Sequence, residues 1–186
     1  ASLAEDFDGK LWMGTSGGEL VHFVGTNAIV RYPQDNVQAN RFCALDVEPN
    51  GTEWVGTLGS GLLRYRDGVF HRFTHADGLP SDQIFQVVSD QLGYLWLGTG
   101  AGLVRVNPDD LDRCAKGQIK TVPWRIFGRS DGLRSTVCAT EFQPLCWRGK
   151  YGRLWFGMAN GAAGVRSKSI TTNLVSPQVL IEKVLV

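Results

Sequence analysis

The residues that could do chemistry here are dispersed carboxylates, three histidines, four cysteines and several arginines. Asp77, Asp82, Asp90, Asp131 and Glu141 recur around junctions between repeated segments. Two of them could flank a sugar as general acid and base, the arrangement that hydrolyses glycosides. Their recurrence at equivalent turns favours a plainer role, because an Asp side chain caps a turn through local hydrogen bonds. His71 and His75 are read as lying on one strand and one face. At about 3.3 Å per residue they stand roughly 13 Å apart, too far to share a zinc whose ligand bonds are about 2 Å. No metal ligand, cofactor motif or catalytic residue is assigned. Cys43 falls in an apolar run and reads as a buried thiol. Cys114 and Cys138 lie in segments read as irregular, where an oxidising compartment could pair them, and no C-x-x-C spacing sets the connectivity. Arg41, Arg125, Arg129 and Arg134 form either a basic patch at one mouth of the fold or a solvated surface, the surface reading being preferred.

The elements that must carry these groups show first in the composition. The chain has 186 residues and a formal net charge of +1, which gives no global pull toward nucleic acid or an anionic membrane. No apolar run approaches the roughly 18 residues of a membrane helix, and no signal peptide is read in residues 1–8. Glycine is the outlier: 23 of the 186 residues, against a usual share of about 7%. Many glycines and six tryptophans with few long apolar stretches predict short strands joined by tight turns.

The strands come in a repeat. Asp8-Gly9-Lys10-Leu11-Trp12-Met13-Gly14-Thr15 returns as Asn50-Gly51-Thr52-Glu53-Trp54-Val55-Gly56-Thr57, then as Leu92-Gly93-Tyr94-Leu95-Trp96-Leu97-Gly98-Thr99, and last as Tyr151-Gly152-Arg153-Leu154-Trp155-Phe156-Gly157-Met158. The tryptophans are spaced by 42, 42 and 59 residues. Around each lies a string of short strands, such as 83–89, 94–99 and 103–106. The pair 62–66 and 69–73 is joined by Asp67-Gly68, a type I′ hairpin signal because both central residues need positive φ. Four antiparallel strands in about 42 residues, repeated, predict an all-β fold: a β-propeller fragment of about four blades. Each Trp is expected to pack between blades, since a blade covered on both faces needs a nearly continuous apolar central strand.

The expected blades span 1–36, 37–78, 79–133 and 134–166, with an insertion at about 108–121 and a weak strand at 162–165 in the fourth. Residues 167–176 read as a linker and 177–186 as a new strand outside the blade grid. A chain stopping inside a strand is expected to continue. Open end blades expose strand edges and apolar faces, which favours association with missing blades or a second copy.

Asp-Gly-x-Leu-Trp-x-Gly-Thr followed by Gly-Leu-x-Arg-Tyr/Val resembles the repeat of the two-component regulator propellers. So do Phe73-Thr74-His75-Ala76-Asp77-Gly78-Leu79-Pro80-Ser81-Asp82-Gln83-Ile84 and Asp131-Gly132-Leu133. Phe142-Gln143-Pro144 with Gly152-Arg153-Leu154-Trp155-Phe156 is similar to the closing blade of those sensors. Pro177 to Val186 resembles the first strand of the triple-tyrosine immunoglobulin-like β-sandwich that follows it. Met158 in place of Thr, and Ala162-Ala163-Gly164, depart from the pattern. The resemblance implies the periplasmic sensor region of an inner-membrane histidine kinase or hybrid regulator, binding a small molecule or carbohydrate. The fragment itself would be non-catalytic and in contact with neither membrane nor nucleic acid. No kinase ATP-binding motif or phospho-acceptor segment is found in it. The alternative is an enzyme on a related propeller, a lyase or glycoside hydrolase. Propeller ligands meet the loops that lead into the innermost strands and the central channel, which points to Asn40 and Arg41, Asp82 and Gln83, and Arg134 and Ser135.

Overall fold

The computed structural model describes residues 1–33, 41–140 and 144–170. They build four antiparallel sheets arranged as propeller blades. The first contains β1 (Ser2–Glu5), β2 (Leu11–Gly14), β3 (Leu20–Val24) and β4 (Asn27–Arg31). The second contains β5 (Phe42–Val47), β6 (Glu53–Thr57), β7 (Leu62–Arg66) and β8 (Val69–Phe73). The third contains β9 (Gln86–Ser89), β10 (Leu95–Gly98), β11 (Leu103–Val106) and β12 (Trp124–Phe127). In each of these the strands follow one another in chain order from the inside outward. The fourth sheet has three strands among the described residues: β13 (Cys146–Arg148), β14 (Arg153–Met158) and β15 (Gly161–Arg166). The four-stranded expectation is therefore met in three blades. The triple-tyrosine-like strand at 177–186 lies outside the described residues.

Each Trp stands at the same register position. Trp12 pairs with Ala4 and His22, Trp54 with Asp46 and Arg64, Trp96 with Val88 and Arg105, and Trp155 with Trp147 and Gly164. Because side chains alternate along a strand, the Trp faces one neighbouring blade and its two flanking residues face the other. Three apolar clusters follow. Trp12 packs with Val55, Leu63 and Tyr65 of the second blade. Trp54 packs with Val87, Leu95, Leu97 and Val104 of the third. Trp96 packs with Leu154, Phe156 and Met158 of the fourth. Trp54 and Trp96 are 1% and 0% exposed, so inter-blade packing is their role.

The glycine two residues after each Trp exists for close approach. A Cβ on Gly56 would lie 2.6 Å from the carbonyl oxygen of Ile84, backbone of the next blade that has nowhere to go. The expected hairpin turn is present too, with Asp67 at φ 52° and Gly68 at φ 82°.

The 108–121 insertion is not wholly irregular. Its first part is an α-helix, α1 (Pro108–Ala115). Asn107 caps it by accepting from the Asp109 amide, Pro108 opens it, Asp109 and Asp110 fill its first turn and Arg113 its last. These are the start and stop signals of a helix. Buried Leu111 anchors it, and Arg64 of β7 donates to Asp112, tying it to the second blade. Among the described residues no helix is long and apolar enough to cross a membrane.

Candidate functional site: the groove between the innermost strands

The innermost strands of the second, third and fourth blades are each led in by a bond to the blade before. Phe42, Ile84 and Cys138 donate their amides to the carbonyls of Thr15, Thr57 and Thr99, the Thr of each Trp-x-Gly-Thr, at 3.1, 2.9 and 3.3 Å. The same threonines close their own turns, Thr57 Oγ1 donating to Gly61 O and Thr99 Oγ1 to Gly102 O. Repetition of this stitch sets β1, β5, β9 and β13 side by side around a groove of about 430 Å³. It is lined by 2–7 of the first blade, 44–47 of the second, 87–88 of the third and 144–148 of the fourth.

At its wall three blades meet on one residue. Ser89 ends β9, and its backbone N–H and C=O point away from β10. Asp46 of β5 accepts the Ser89 amide at 3.0 Å, and Arg148 of β13 donates to the Ser89 carbonyl at 2.8 Å. An acid from one side and a guanidinium from the other thus satisfy the edge of the strand between them. Burial pushes the Asp46 carboxyl up to about 7, against the pull of the Ser89 amide and the Arg148 charge. Near neutral pH this group is therefore part acid and part anion. Beside it Cys146 donates to the Val87 carbonyl at 3.2 Å, and burial holds its thiol up at about 12, protonated and unreactive. Chemically the wall offers a protonatable acid and a fixed cation at the junction of three blades.

The residues expected at the site are placed differently. Arg41, at φ 112°, gives its carbonyl to the Leu58 amide. Gln83 bridges Leu58, and the Asp82 carbonyl accepts from Gly59 and Gly61. These three therefore gather around the Leu58–Gly61 turn, and the Asp82 carboxylate accepts the His75 amide at 2.6 Å. Arg134 and Ser135 line a separate cavity of about 540 Å³ between the third and fourth blades, with Arg125, Phe127 and Asp131. The structure thus brings Arg41, Asp82 and Gln83 together and leaves Arg134 and Ser135 apart. Asn40 lies outside the described residues. Asp46 and Arg148 escaped sequence reasoning because neither belongs to the repeated motif, and nothing in a single blade marks which polar residue reaches its neighbour. The one available signal was a charge interrupting an otherwise apolar innermost strand.

The other candidate groups are occupied structurally. Asp77 accepts from the Thr74 amide and hydroxyl, and Asp131 from the Gly128 amide, each closing a short 3₁₀ turn before an Asp-Gly-Leu. That amide, with Arg125, holds the Asp131 carboxyl below its ordinary value against slight burial. Asp90 accepts from Leu92 N, Tyr94 N and the Trp96 indole. His75 is not on a strand, as expected, but in the 3₁₀ turn His75–Asp77, where the capping box ends the extended run; its Nδ1 lies 2.9 Å from Leu79 O. His22 stacks on Trp12 with centroids 4.0 Å apart. Cys43 is half-buried rather than buried, its Sγ 3.8 Å from Arg41 O. Cys114 and Cys138 are not bonded to each other: the first lies on α1 and the second is buried with its Sγ 4.0 Å from Met158 Sδ.

With this geometry in view, comparison with known proteins separates one segment from the rest. Residues 78–101, which run from the Asp-Gly-Leu turn through β9 and β10, match the two component regulator propeller family. This short segment is similar to a two component regulator propeller repeat. That repeat supplies Ser89 and the stitch from Ile84. Solved structures of similar fold include the extracellular domain of BT4673 from B. thetaiotaomicron, described both as a one component and as a hybrid two component system. It is 17% identical with a TM-score of 0.66, over 90% of this chain and 24% of that one. A virginiamycin B lyase from Staphylococcus aureus, solved with quinupristin, is 12% identical with a TM-score of 0.60, over 90% of this chain and 55% of that one. PorZ, a surface component of the type-IX secretion system of Porphyromonas gingivalis, is 14% identical with a TM-score of 0.55, over 86% and 25%. At these identities the likeness is one of fold. The chain spans about a quarter of the BT4673 domain. No curated protein matches it.

Proposed function

We propose that this chain is part of the extracytoplasmic, periplasmic sensor of a two-component signalling protein, and that its groove is where a ligand acts. The observation that carries this reading is the regulator propeller repeat at 78–101, seated so that its Ser89 edge is held from both sides by Asp46 and Arg148. A sensor must respond to a ligand by favouring one arrangement over another. A ligand that takes either side chain away from Ser89 changes how three blades are tied, which is such a differential. The chemistry fits a hydroxylated, carboxylate-bearing ligand: the guanidinium receives one anionic group and the Asp46 carboxyl exchanges hydrogen bonds with hydroxyls. The chain binds without turnover, and the kinase or hybrid-regulator output belongs to other parts of the protein.

The test is calorimetric titration of the chain with galacturonate trisaccharide and with neutral galactotriose. The acidic sugar should bind, and Arg148→Met should weaken it at least tenfold while circular dichroism shows the fold intact. Binding of neither sugar, or an affinity indifferent to Arg148→Met, counts against the groove. Release of new reducing ends or unsaturated sugar would instead favour the propeller lyase or hydrolase. A reporter active only outside the cytoplasm, fused to the propeller in the native chain, checks the location.

A further inference from the structure

The wall of the groove holds an acid and a cation that stay apart. Ser89 turns its N–H and C=O to the same side, as a residue of an extended strand does. Asp46 takes the first at 3.0 Å and Arg148 the second at 2.8 Å, so one residue brings the carboxyl and the guanidinium to neighbouring places on the groove lining. Both side chains are half-buried. Among the described residues neither forms an ion pair, and the ion pairs present lie elsewhere. Burial raises the Asp46 carboxyl, while the Ser89 amide and, through space, the Arg148 charge pull against it.

A ligand carboxylate that engages Arg148 upsets this balance. It takes up the guanidinium charge that favours an ionised Asp46, and it adds negative charge beside that carboxyl. Two carboxylates sharing one cation hold a proton between them. Asp46 is built to carry it: the Ser89 amide occupies Oδ2, which leaves Oδ1 to bear the proton and donate a charge-assisted bond to the ligand. The neighbouring groups reinforce the assignment. Glu48, just past the end of β5, raises Asp46 further. From β13 come Arg148 and the Cys146 thiol, held at about 12 by burial. β9 offers Asp46 an uncharged amide. From β1 and its turn, Glu5 and Asp6 line the groove, Asp6 being engaged by the Asp8 and Lys10 amides and the Trp12 indole. No histidine is among the lining residues.

We propose that the groove binds its acidic ligand together with one proton, the ligand carboxylate lying between the Arg148 guanidinium and a protonated Asp46 carboxyl. This linkage rests on the groove being the ligand site and adds how that site is regulated. Asp46 stands at about 7 in the free protein and higher in the complex. Well below pH 7 the carboxyl is protonated in both, and affinity is indifferent to pH. Above pH 7 the free site must first gain a proton, so affinity falls about tenfold for each pH unit. At pH 8 only about one site in ten is ready to bind. The response to the ligand therefore strengthens as the surroundings acidify.

Calorimetric titration with galacturonate trisaccharide, repeated in phosphate and in Tris, tests it, because the two buffers differ in the heat of giving up a proton. The difference in binding heat counts the protons taken up. Nearly one per ligand should be taken up at pH 8 and almost none at pH 5.5, with the dissociation constant rising about tenfold from pH 7 to pH 8. Asp46→Asn keeps an acceptor for Ser89 and, like the protonated acid, a donor toward the groove. It should take up no proton, bind about tenfold more tightly than the parent at pH 8 and lose that advantage at pH 5.5. Binding without proton uptake at pH 8, or with an affinity flat across this range, overturns the linkage and leaves the groove standing as a ligand site. Uptake that persists in Asp46→Asn assigns the proton to another group and overturns it too. Absence of binding at pH 5.5 and pH 8 alike removes the groove as a ligand site and the linkage with it.

Discussion

Replacing Glu48 by Asp should stabilise this protein, and the reason lies in comparing three blades. In the first and third, the residue six before the Trp is Asp. Asp6 Oδ1 accepts from the Asp8 and Lys10 amides while Oδ2 accepts from the Trp12 indole at 3.2 Å. Asp90 does the same with Leu92, Tyr94 and Trp96, the indole at 3.1 Å. The second blade has Glu48 there. Its backbone is in the same place, Glu48 N donating to Thr52 O at 2.9 Å as Asp6 N does to Lys10 O and Asp90 N to Tyr94 O. The Trp54 Nε1 nevertheless is buried with no acceptor among the described residues. An unsatisfied buried donor costs about 1–3 kcal/mol, and a hydrogen bond to a charged group contributes about 1.5–3. Against this stand partial desolvation of the carboxylate and the exposed 3.3 Å bond from Asn50 Nδ2 that Glu48 now accepts. The net gain should be about 1 kcal/mol, or roughly 3 °C in melting temperature for a chain of this size. Thermal unfolding followed by circular dichroism reads it. In a Trp54→Phe background, where no indole N–H exists, the gain should vanish. A Glu48→Asp variant that melts no higher, or gains as much without the indole, refutes the reasoning.

Three further outcomes are expected. Burial raises Asp46 to about 7 and Glu53 to about 8, both well above an unfolded carboxylate. The folded state therefore holds protons that the unfolded state releases, and stability should be greatest near pH 4 and fall as pH rises toward 8. Asp46→Asn, whose amide oxygen can still accept from Ser89, and Glu53→Gln should each raise the melting temperature at pH 8 and lose that advantage toward pH 4, as pH-dependent melting curves would show. Gly56→Ala should cost about 3 kcal/mol in urea unfolding, because its Cβ would meet the Ile84 carbonyl at 2.6 Å; Gly51→Ala, where open space surrounds the site but φ is 76°, should cost less. Asp77→Ala removes the acceptor for the Thr74 amide and hydroxyl and should cost about 1 kcal/mol, with amide exchange at Thr74 rising before that of β9.

Much of the architecture is legible along the chain because it is local and repeated. The hairpin at Asp67-Gly68 is a property of two adjacent residues with positive φ, and its strands fall where the alternation puts them. The recurring carboxylates are caps for the same reason: Asp77, Asp90 and Asp131 bond amides only a few residues away. The helix at 108–115 is missed although its cap, proline and acidic first turn are all present, because it interrupts a strand grammar that otherwise holds. His75 is misplaced on a strand because a capping box from Thr74 to Asp77 ended that strand.

By itself, then, the sequence determined the blade grammar, the Trp positions and the turn chemistry, all of which depend on neighbours within a few residues. Only the tertiary structure decided that Asp46 and Arg148, 102 positions apart in the sequence, meet on Ser89. Which polar side chain crosses a junction depends on the offset between two sheets that share no local pattern.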